Sequence, residues 1–306
     1  MVRYSIIILL LFLGCTAKKR RVQTQEPEVV SSPNPLFDSL SVFHSKLAPP
    51  TWGEWHFTLK EKGQTFEQYL DFEPNQITSI NHKLYLAYFD SLSKKDSLIL
   101  EETSKFLSLF FQCEVETQFI PVNTDTIPKK FFRRSRYGKT QVLSDFYMKE
   151  VLSKRIPEDA WGVIGYTTKD IYPDPRWNYV FGKASYKNKV AVWSSKRLSP
   201  GNKIHNEAEL IRNIKTATHE SGHMLSMKHC IRNNCLMNGS VDVFDTDERP
   251  AYLCNNCLRK LDWNFDVNHI ERSNKLKSFW SRLKRPIYEQ YYTSLKEYFE
   301  TKLQPL

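Results

Sequence analysis

A short histidine-rich segment of the chain has residue types and spacing that suit metal-assisted hydrolysis. His219 and His223 lie four positions apart, and Glu220 lies between them. In an α-helix, residues four apart are about 40° apart around the axis and one turn apart along it, so both imidazoles can bind one ion. Glu220 is then placed to take a proton from a water molecule that zinc has acidified, instead of binding the metal itself. The spacing therefore predicts a hydrolytic zinc centre.

A third ligand must come from outside this helix. His229 follows His223 by six residues, and it can reach the same ion only if the chain turns sharply soon after Leu225. Three histidines leave one tetrahedral position open, as a catalytic zinc ion requires. We therefore predict that His219, His223 and His229 bind a catalytic zinc ion and that Glu220 is the general base.

Four cysteines follow the histidines at spacings that suit a second zinc ion. They form a C-x4-C pair and a C-x2-C pair, made of Cys230, Cys235, Cys254 and Cys257. Four thiolates at the corners of a tetrahedron form a closed, structural zinc site. In an oxidising compartment the same residues would instead form two disulfides, one within each pair. We favour zinc, and we therefore predict two zinc ions per chain.

These motifs resemble those of the archaemetzincins, a family of zinc metalloproteases in the metzincin clan. The family pattern HExxHxxGxxHC, followed by C-x-M and a later CxxC, corresponds here to His219, Glu220, His223, His229, Cys230, Cys235, Met237, Cys254 and Cys257. The likeness runs from Trp161 to about Leu261. It implies that Met237 lies beneath the zinc ligands in a Met-turn without binding metal. It also implies peptide-bond hydrolysis, by aminopeptidase or short-peptide cleavage, with endopeptidase activity as an open alternative.

One residue departs from the family pattern. The family glycine that ends the active-site helix is Ser226 in this chain. A glycine at such a point normally adopts a left-handed backbone conformation, which costs another residue about 1 kcal/mol or more. We expect a strained turn between the second and third zinc ligands. The unchanged Glu220 argues against a catalytically inactive member of the family.

The N-terminus predicts export and lipid attachment. A basic start is followed by eight apolar residues, 6–13, and then by Gly14 and Cys15. Eight residues cannot span a bilayer, which needs about twenty. The arrangement resembles a bacterial lipoprotein signal that is cleaved before Cys15, whose thiol is then acylated, and a plain secretory signal is the alternative. We predict a signal peptide over residues 1–14, a lipid-anchored flexible linker over 15–36, and a location in the bacterial cell envelope.

The remaining residues, 37–306, predict one α+β domain whose family-like core covers 160–262. A hydrophobic content of 41% and an aromatic content of 13% suit a single large core. Apolar runs at 162–167 and 189–193 predict strands, and apolar residues at helical spacing over 210–217 predict the helix that carries the zinc ligands. The last forty residues or so have the pattern of two packed helices.

The resemblance implies a metzincin-like arrangement of these elements. A mixed β-sheet would lie above the active-site helix, and a C-terminal subdomain would hold the Met-turn and the cysteine zinc site. The strand at 189–193 would form the sheet edge that borders the cleft, where an extended peptide can pair with it.

Charge and composition limit the partners. The net charge of +10 would suit nucleic acid, but the lysines and arginines are scattered and no aromatic residues alternate with them, so we predict no nucleic-acid partner. The predicted partners are a peptide or protein substrate and, through the lipid anchor, a membrane.

The main alternative function is a non-catalytic zinc-binding or interaction protein of the envelope. In that case a fourth protein ligand would close the histidine site.

Overall fold

The structure is a computed structural model that describes residues 34–135, 138–199 and 206–303. Its helices are α1 (Pro35–Asp38), α2 (Trp55–Leu59), α3 (Phe66–Asp71), α4 (Lys94–Phe111), α5 (Asn206–Met224), α6 (Val243–Glu248), α7 (Asn255–Phe265), α8 (His269–Arg282) and α9 (Pro286–Lys302). Its strands are β1 (Lys83–Tyr88), β2 (Val115–Phe119), β3 (Phe132–Arg134), β4 (Thr140–Leu143), β5 (Ala160–Thr167), β6 (Asp170–Tyr172), β7 (Gly182–Ala184) and β8 (Val190–Ser194). A π-helix spans Phe146–Leu152, and short 3₁₀ turns span Ser39–Phe43, Thr124–Thr126 and Lys129–Phe131.

The predicted signal peptide, Cys15 and most of the predicted linker lie outside the described residues. Within the part of the chain that is described, no helix is both long enough and apolar enough to cross a membrane.

Two mixed sheets confirm the predicted α+β class. The larger has five strands in the order β2-β1-β5-β8-β7, and all its neighbours are parallel except β7, which runs antiparallel to β8. The smaller has the order β3-β4-β6. Strand β5 is buried along its whole length, as expected for a central strand that is covered on both faces.

Hydrophobic cores cover both faces of the larger sheet. Successive side chains of a strand point to opposite faces, and in β1 Leu84 and Leu86 belong to one core whereas Tyr85 and Ala87 belong to the other. The first core contains residues of α4, α5, α8 and α9, and the second contains the π-helix and the smaller sheet. The predicted C-terminal helix pair, α8 and α9, is confirmed and completes the first core.

The edge of the larger sheet differs from the prediction. We expected the strand at 189–193 to form the edge beside the cleft, but β8 lies inside the sheet, between β5 and β7. The edge strand is β7, which has only three residues. A pattern of alternating hydrophobicity cannot identify so short a strand, and pairing of β7 with β8 buries every residue of β8.

Helix α5 lies against this end of the sheet. The indole N–H of Trp193 in β8 donates a hydrogen bond to Asn213 Oδ1 of α5 at 3.1 Å. Arg212 in α5 forms a two-bond ion pair with Asp247 at the end of α6, at 2.7 and 2.6 Å. The buried apolar residues Ile214 and Ala217 belong to the first core. These contacts fix the face of the helix that carries the histidines.

The chain reverses immediately after α5, at Ser226. Its φ is 67°, so the left-handed conformation expected at this position is confirmed for a serine. The buried hydroxyl donates a hydrogen bond to the Tyr186 carbonyl at 2.7 Å and accepts one from the Asn75 N–H at 3.2 Å. The serine side chain thus connects the turn to two neighbouring segments, which a glycine could not do.

Substitution of Ser226 separates the cost of its left-handed backbone from the contribution of its two side-chain hydrogen bonds. Ser226→Ala keeps the backbone strain and loses both hydrogen bonds, so we expect its free energy of unfolding to fall by about 1–3 kcal/mol. Ser226→Gly loses the same bonds but relieves the strain, so it should be more stable than the alanine variant by about 1 kcal/mol. Urea unfolding of the full chain measures both values. A glycine variant less stable than the alanine variant would contradict this account.

Candidate active site

Three histidines meet at the end of α5. His219 and His223 lie on one face of the helix, with ring centroids 4.4 Å apart. The turn at Ser226 brings back His229, whose ring lies 5.1 Å from that of His219 and 4.9 Å from that of His223. One ring nitrogen from each residue can be chosen so that all three lie within 4.8 Å of one another. The structure therefore brings together the three predicted ligands.

Hydrogen bonds fix the orientation of each imidazole. The Nδ1 atom of His219 lies 2.9 Å from the Leu236 carbonyl, and that of His223 lies 2.6 Å from the Met227 carbonyl. Because a carbonyl oxygen accepts hydrogen bonds, each Nδ1 carries the proton and each Nε2 keeps its lone pair for a metal. Burial lowers the pKa of His223 to about 3 and that of His219 well below its usual value. Both rings are therefore neutral, as metal ligands must be.

The third histidine is oriented by a carboxylate. Glu61 Oε2 lies 2.6 Å from Nδ1 of His229, an arrangement in which the carboxylate fixes the orientation of a metal-binding imidazole. The ring of Trp55 packs against the edge of His229, with centroids 5.6 Å apart. Three imidazoles that use Nδ1 for hydrogen bonds and keep Nε2 for a metal fit a zinc ion in the number and chemistry of their donors. Among the described residues, no fourth side chain of ligand type joins this cluster.

Sequence reasoning missed Glu61 and Trp55. Both precede the histidine motif by more than 150 positions, and no spacing rule connects a residue so distant to the motif. Leu59, from the same helix α2 as Trp55, also lines the cavity at the histidines. A segment outside the family-like core therefore forms one wall of the site.

Glu220 has no hydrogen-bond partner among the described residues, although it is only 6% exposed. Burial raises the pKa of its carboxyl to about 8, and the positive charge of Arg249 opposes this shift. The carboxylate lies directly against the backbone of Gly182 in β7, where an added Cβ would be 2.5 Å from Glu220 Oε1. A glycine at position 182 thus leaves the space that this side chain occupies. Gly182 lies within the family-like stretch from Trp161 to about Leu261, but its role was not predicted.

A cavity of about 340 Å³ opens in front of the three histidines and Glu220. The cavity is lined by the edge strand β7 and by the side chains of Trp177, Tyr179, Thr216, Ser240 and Arg249. Tyr186 packs edge-on against His223, with ring centroids 5.2 Å apart. The arrangement can hold a small or extended polar ligand beside a metal ion and a carboxylate base.

The four predicted cysteines form one buried cluster. Their sulfur atoms all lie within 4.8 Å of one another, and Cys230 Sγ is 3.7 Å from Cys254 Sγ. A zinc ion with Zn–S bonds of about 2.3 Å separates its thiolates by about 3.8 Å in a tetrahedron. The N–H groups of Met237 and Cys254 donate to Cys235 Sγ at 3.4 and 3.2 Å. The cluster thus fits a closed zinc site, and all four cysteines are free.

Met237 lies between the two clusters and is completely buried. Its sulfur packs against Gly222 in α5, where an added Cβ would be 2.6 Å from Met237 Sδ. Its carbonyl accepts a hydrogen bond from the Cys230 N–H at 2.8 Å. Met237 therefore contacts the histidine helix with its side chain and the cysteine segment with its backbone.

Known proteins are similar to much of this chain. The family model described as Peptidase family M54 matches residues 124–263. The archaemetzincin of Sulfolobus acidocaldarius is 30% identical over 183 residues, which is 59% of this chain and 98% of that protein. Archaemetzincin-2 of Mus musculus is 28% identical over 278 residues, which is 79% of this chain and 76% of that protein.

A solved structure shares the fold. The crystal structure of archaemetzincin from Methanopyrus kandleri aligns with a TM-score of 0.51 and 27% sequence identity, and the alignment covers 62% of this chain and 98% of that one. The similarity to whole archaemetzincins thus extends over sequence and architecture. The chain belongs to the archaemetzincin family, and it is a zinc metallopeptidase.

Proposed function

We propose that the protein hydrolyses short peptides at a zinc ion held by His219, His223 and His229. This proposal rests mainly on one observation. Three imidazoles oriented to bind a metal line the same cavity as Glu220, which forms no hydrogen bond with any described residue. A volume of about 340 Å³ is at the lower end of the range for small-ligand sites, which favours a short substrate. Trimming from the amino terminus is the preferred mode, and internal cleavage is the second.

The reaction would use Glu220 as a proton shuttle. When bound, zinc would acidify a water molecule and polarise the carbonyl of the scissile bond. Glu220 would accept a proton from the attacking water and later donate it to the nitrogen of the leaving amine. The short edge strand β7, with its backbone beside Glu220, would hold the substrate in extended form through main-chain hydrogen bonds. Gly182 would keep the carboxylate in the position that both proton transfers need.

A non-catalytic zinc-binding role is not supported. That alternative predicted a fourth protein ligand, and the described residues offer none at the histidine cluster. It also leaves the buried, unpaired Glu220 without a function.

We further propose a second, structural zinc ion bound by Cys230, Cys235, Cys254 and Cys257. Because Cys230 follows His229 directly in the chain, an ion in the cysteine cluster would fix the backbone that carries the third histidine. Met237 would act as the Met-turn methionine, since its sulfur packs beneath the histidine helix.

The cellular location is proposed from the N-terminal sequence. Residues 1–14 would direct export, and Cys15 would be acylated and anchor the domain to a membrane of the bacterial envelope through the linker 15–36. The charged stretch at 18–21 would lie next to that membrane and bind anionic headgroups.

The roles of Glu220 and Gly182 can be tested together. Glu220→Gln removes the base, so cleavage of a mixed peptide library should fall at least about 100-fold, the lower range for loss of a general base. In Gly182→Ala the new methyl group displaces the carboxylate, and we expect a loss of about 100-fold. Mass spectrometry identifies the products and whether trimming begins at free amino termini. Both variants should keep the zinc content of the parent, and unchanged cleavage by either would contradict its assigned role.

The cysteine cluster predicts a second metal and a large stability effect. Cys235→Ser should lose the structural ion and with it most of the stability of the fold, because structural zinc contributes on the order of 10 kcal/mol to folding. The zinc content should therefore fall from two ions to one in any protein that stays folded, and to none in protein that unfolds. Cys113→Ser is the matched control, since Cys113 lies outside the cluster, and it should keep both ions. Zinc analysis and thermal unfolding give the result. A Cys235→Ser protein with two ions and unchanged stability would disprove the site.

Lipid attachment is tested at Cys15. In a bacterial host supplied with a labelled fatty acid, the full chain should carry the label and sediment with membranes. Cys15→Ser should lose the label and leave the membrane fraction, because a single cysteine carries the anchor. Equal labelling of the two proteins would exclude acylation at this residue. Absence of label with secretion of both would support the plain secretory signal.

A further inference from the structure

Arg249 is a buried cation that forms no ion pair with any residue that the structure describes. It is 5% exposed and lines the cavity that holds Glu220 and the three histidines. Burial lowers the pKa of its guanidinium to about 10, so the group stays charged at neutral pH. Among the described residues, only the Asn238 carbonyl accepts a hydrogen bond from it, by Nη1 at 3.1 Å. An unpaired charge in a protein interior is costly, so its presence at the wall of a cavity points to a partner that binds from outside the chain.

The unused edge of this guanidinium has the form that binds carboxylates. Nε of Arg249 is buried and has no hydrogen-bond partner, and no described residue accepts from Nη2. Elsewhere in the chain the same Nε and Nη2 edge binds carboxylates with two bonds. Arg197 holds Asp170 at 2.7 and 2.6 Å, and Arg212 holds Asp247 at 2.7 and 2.6 Å. Two parallel N–H donors match the two oxygens of a carboxylate.

Two hydroxyl groups without partners line the same cavity. Thr216 lies one helical turn before Glu220 in α5, and Ser240 follows the segment that contains Met237. The Oγ atoms of both are buried, and neither has a hydrogen-bond partner in the described chain. Buried polar atoms in folded proteins are nearly always paired. Three such groups around one cavity therefore indicate a polar ligand that supplies the missing acceptors.

The surrounding charges favour an anionic ligand. Lys215 is a second buried basic residue of this region, where burial lowers the pKa of its ammonium group to about 7. Its Nζ donates hydrogen bonds to the carbonyls of Thr246 and Asp247 at 3.1 and 3.0 Å. The acidic groups nearest in charge effect to Arg249 include Glu220, Cys235 and Asp245, but none of them forms an ion pair with it in the described part of the chain. Lys183 on β7 also lines the cavity, but its charge is paired with Asp145 at 2.7 Å. Among the described residues that line the cavity, Arg249 is thus the cation that remains available to a substrate.

We infer that Arg249, with Thr216 and Ser240 beside it, binds a carboxylate of the peptide substrate next to the zinc site. The inference rests on the proposed peptidase function and narrows its substrate class to short peptides with a carboxylate within reach of the scissile bond. That carboxylate is either the C-terminus of the peptide or an acidic side chain. Both present the same two oxygens to the guanidinium.

Equilibrium binding to the zinc-loaded full chain with Glu220→Gln tests the inference without turnover. Calorimetry compares Ala-Ala-Ala with its C-terminal amide, and Ala-Glu-Ala amide with Ala-Gln-Ala amide. We expect the carboxylate member of at least one pair to bind 10-fold or more tightly. The first pair reports a terminal carboxylate and the second an acidic side chain. Equal binding within both pairs, or no binding of any peptide, would overturn the inference without need of a further variant.

Variants of Arg249 then show whether this residue causes the tighter binding of carboxylate peptides over amide peptides. Arg249→Met should reduce that preference to less than 2-fold. Arg249→Lys should give an intermediate value, because lysine keeps the charge but lacks the edge with two donors. Lys183→Met is the matched control and should keep the full preference. Circular dichroism and zinc content verify that each variant is folded. A preference that persists in a folded Arg249→Met protein would assign it to the metal and overturn the inference.

Cleavage by the parent protein separates this inference from the proposed function. Equal cleavage of the acid and amide peptides would keep the peptidase and reject the carboxylate site. Tighter binding of the acids without cleavage of any peptide would keep the carboxylate site and reject the peptidase. A third outcome would also overturn the inference. If the parent binds acids and amides equally and the Arg249→Met protein loses its cysteine-bound zinc, then Arg249 only balances the charge of the thiolates.

Discussion

The site depends on one constraint. Each of the three imidazoles must use Nδ1 for a hydrogen bond, so that the three Nε2 atoms are left to bind the same metal ion. The acceptors come from three separate places, the carbonyls of Leu236 and Met227 and the carboxylate of Glu61. The carbonyls belong to the chain that follows α5, so the sharp reversal at Ser226 positions an acceptor for His223 as well as the third histidine. Zinc binding would then need little rearrangement of the side chains, because the protein has already fixed their orientation.

The interior of the cavity is electrostatically unbalanced. Within the described part of the chain, it is lined by a carboxyl group and a guanidinium that form no ion pair and by two hydroxyls that form no hydrogen bond, although buried polar groups are normally satisfied within the protein. Such groups lower the stability of the protein without a ligand, and they concentrate where chemistry or binding takes place. The surrounding structure offsets this cost with two hydrophobic cores on the faces of the main sheet. Stability and reactivity are therefore located in different layers of the same domain.

The sequence allowed prediction of features that depend on local spacing. The histidine helix, the cysteine cluster, the C-terminal helix pair and the left-handed turn at Ser226 all follow from residues close together in the chain. Non-local features were missed: Glu61 and Trp55 lie too far from the motif for any spacing rule, and Arg249 and Gly182 gain their surroundings only from the fold. The edge strand was assigned to 189–193, because a three-residue strand such as β7 carries no periodic signal.

The wall formed by residues 55–64 affects how the functional unit of this chain is defined. The family model matches residues 124–263, which contain all the predicted metal ligands. Gln64 is bound to Lys260 of α7 and to the Lys228 backbone near the turn, at distances of 2.9–3.1 Å, and this holds Glu61 and Trp55 at His229. A fragment cut at residue 124 would keep every ligand, yet it would leave Nδ1 of His229 without its acceptor and one side of the cavity open to water. Excision or grafting of the catalytic unit therefore has to begin before Trp55, although no ligand lies within the first two hundred residues.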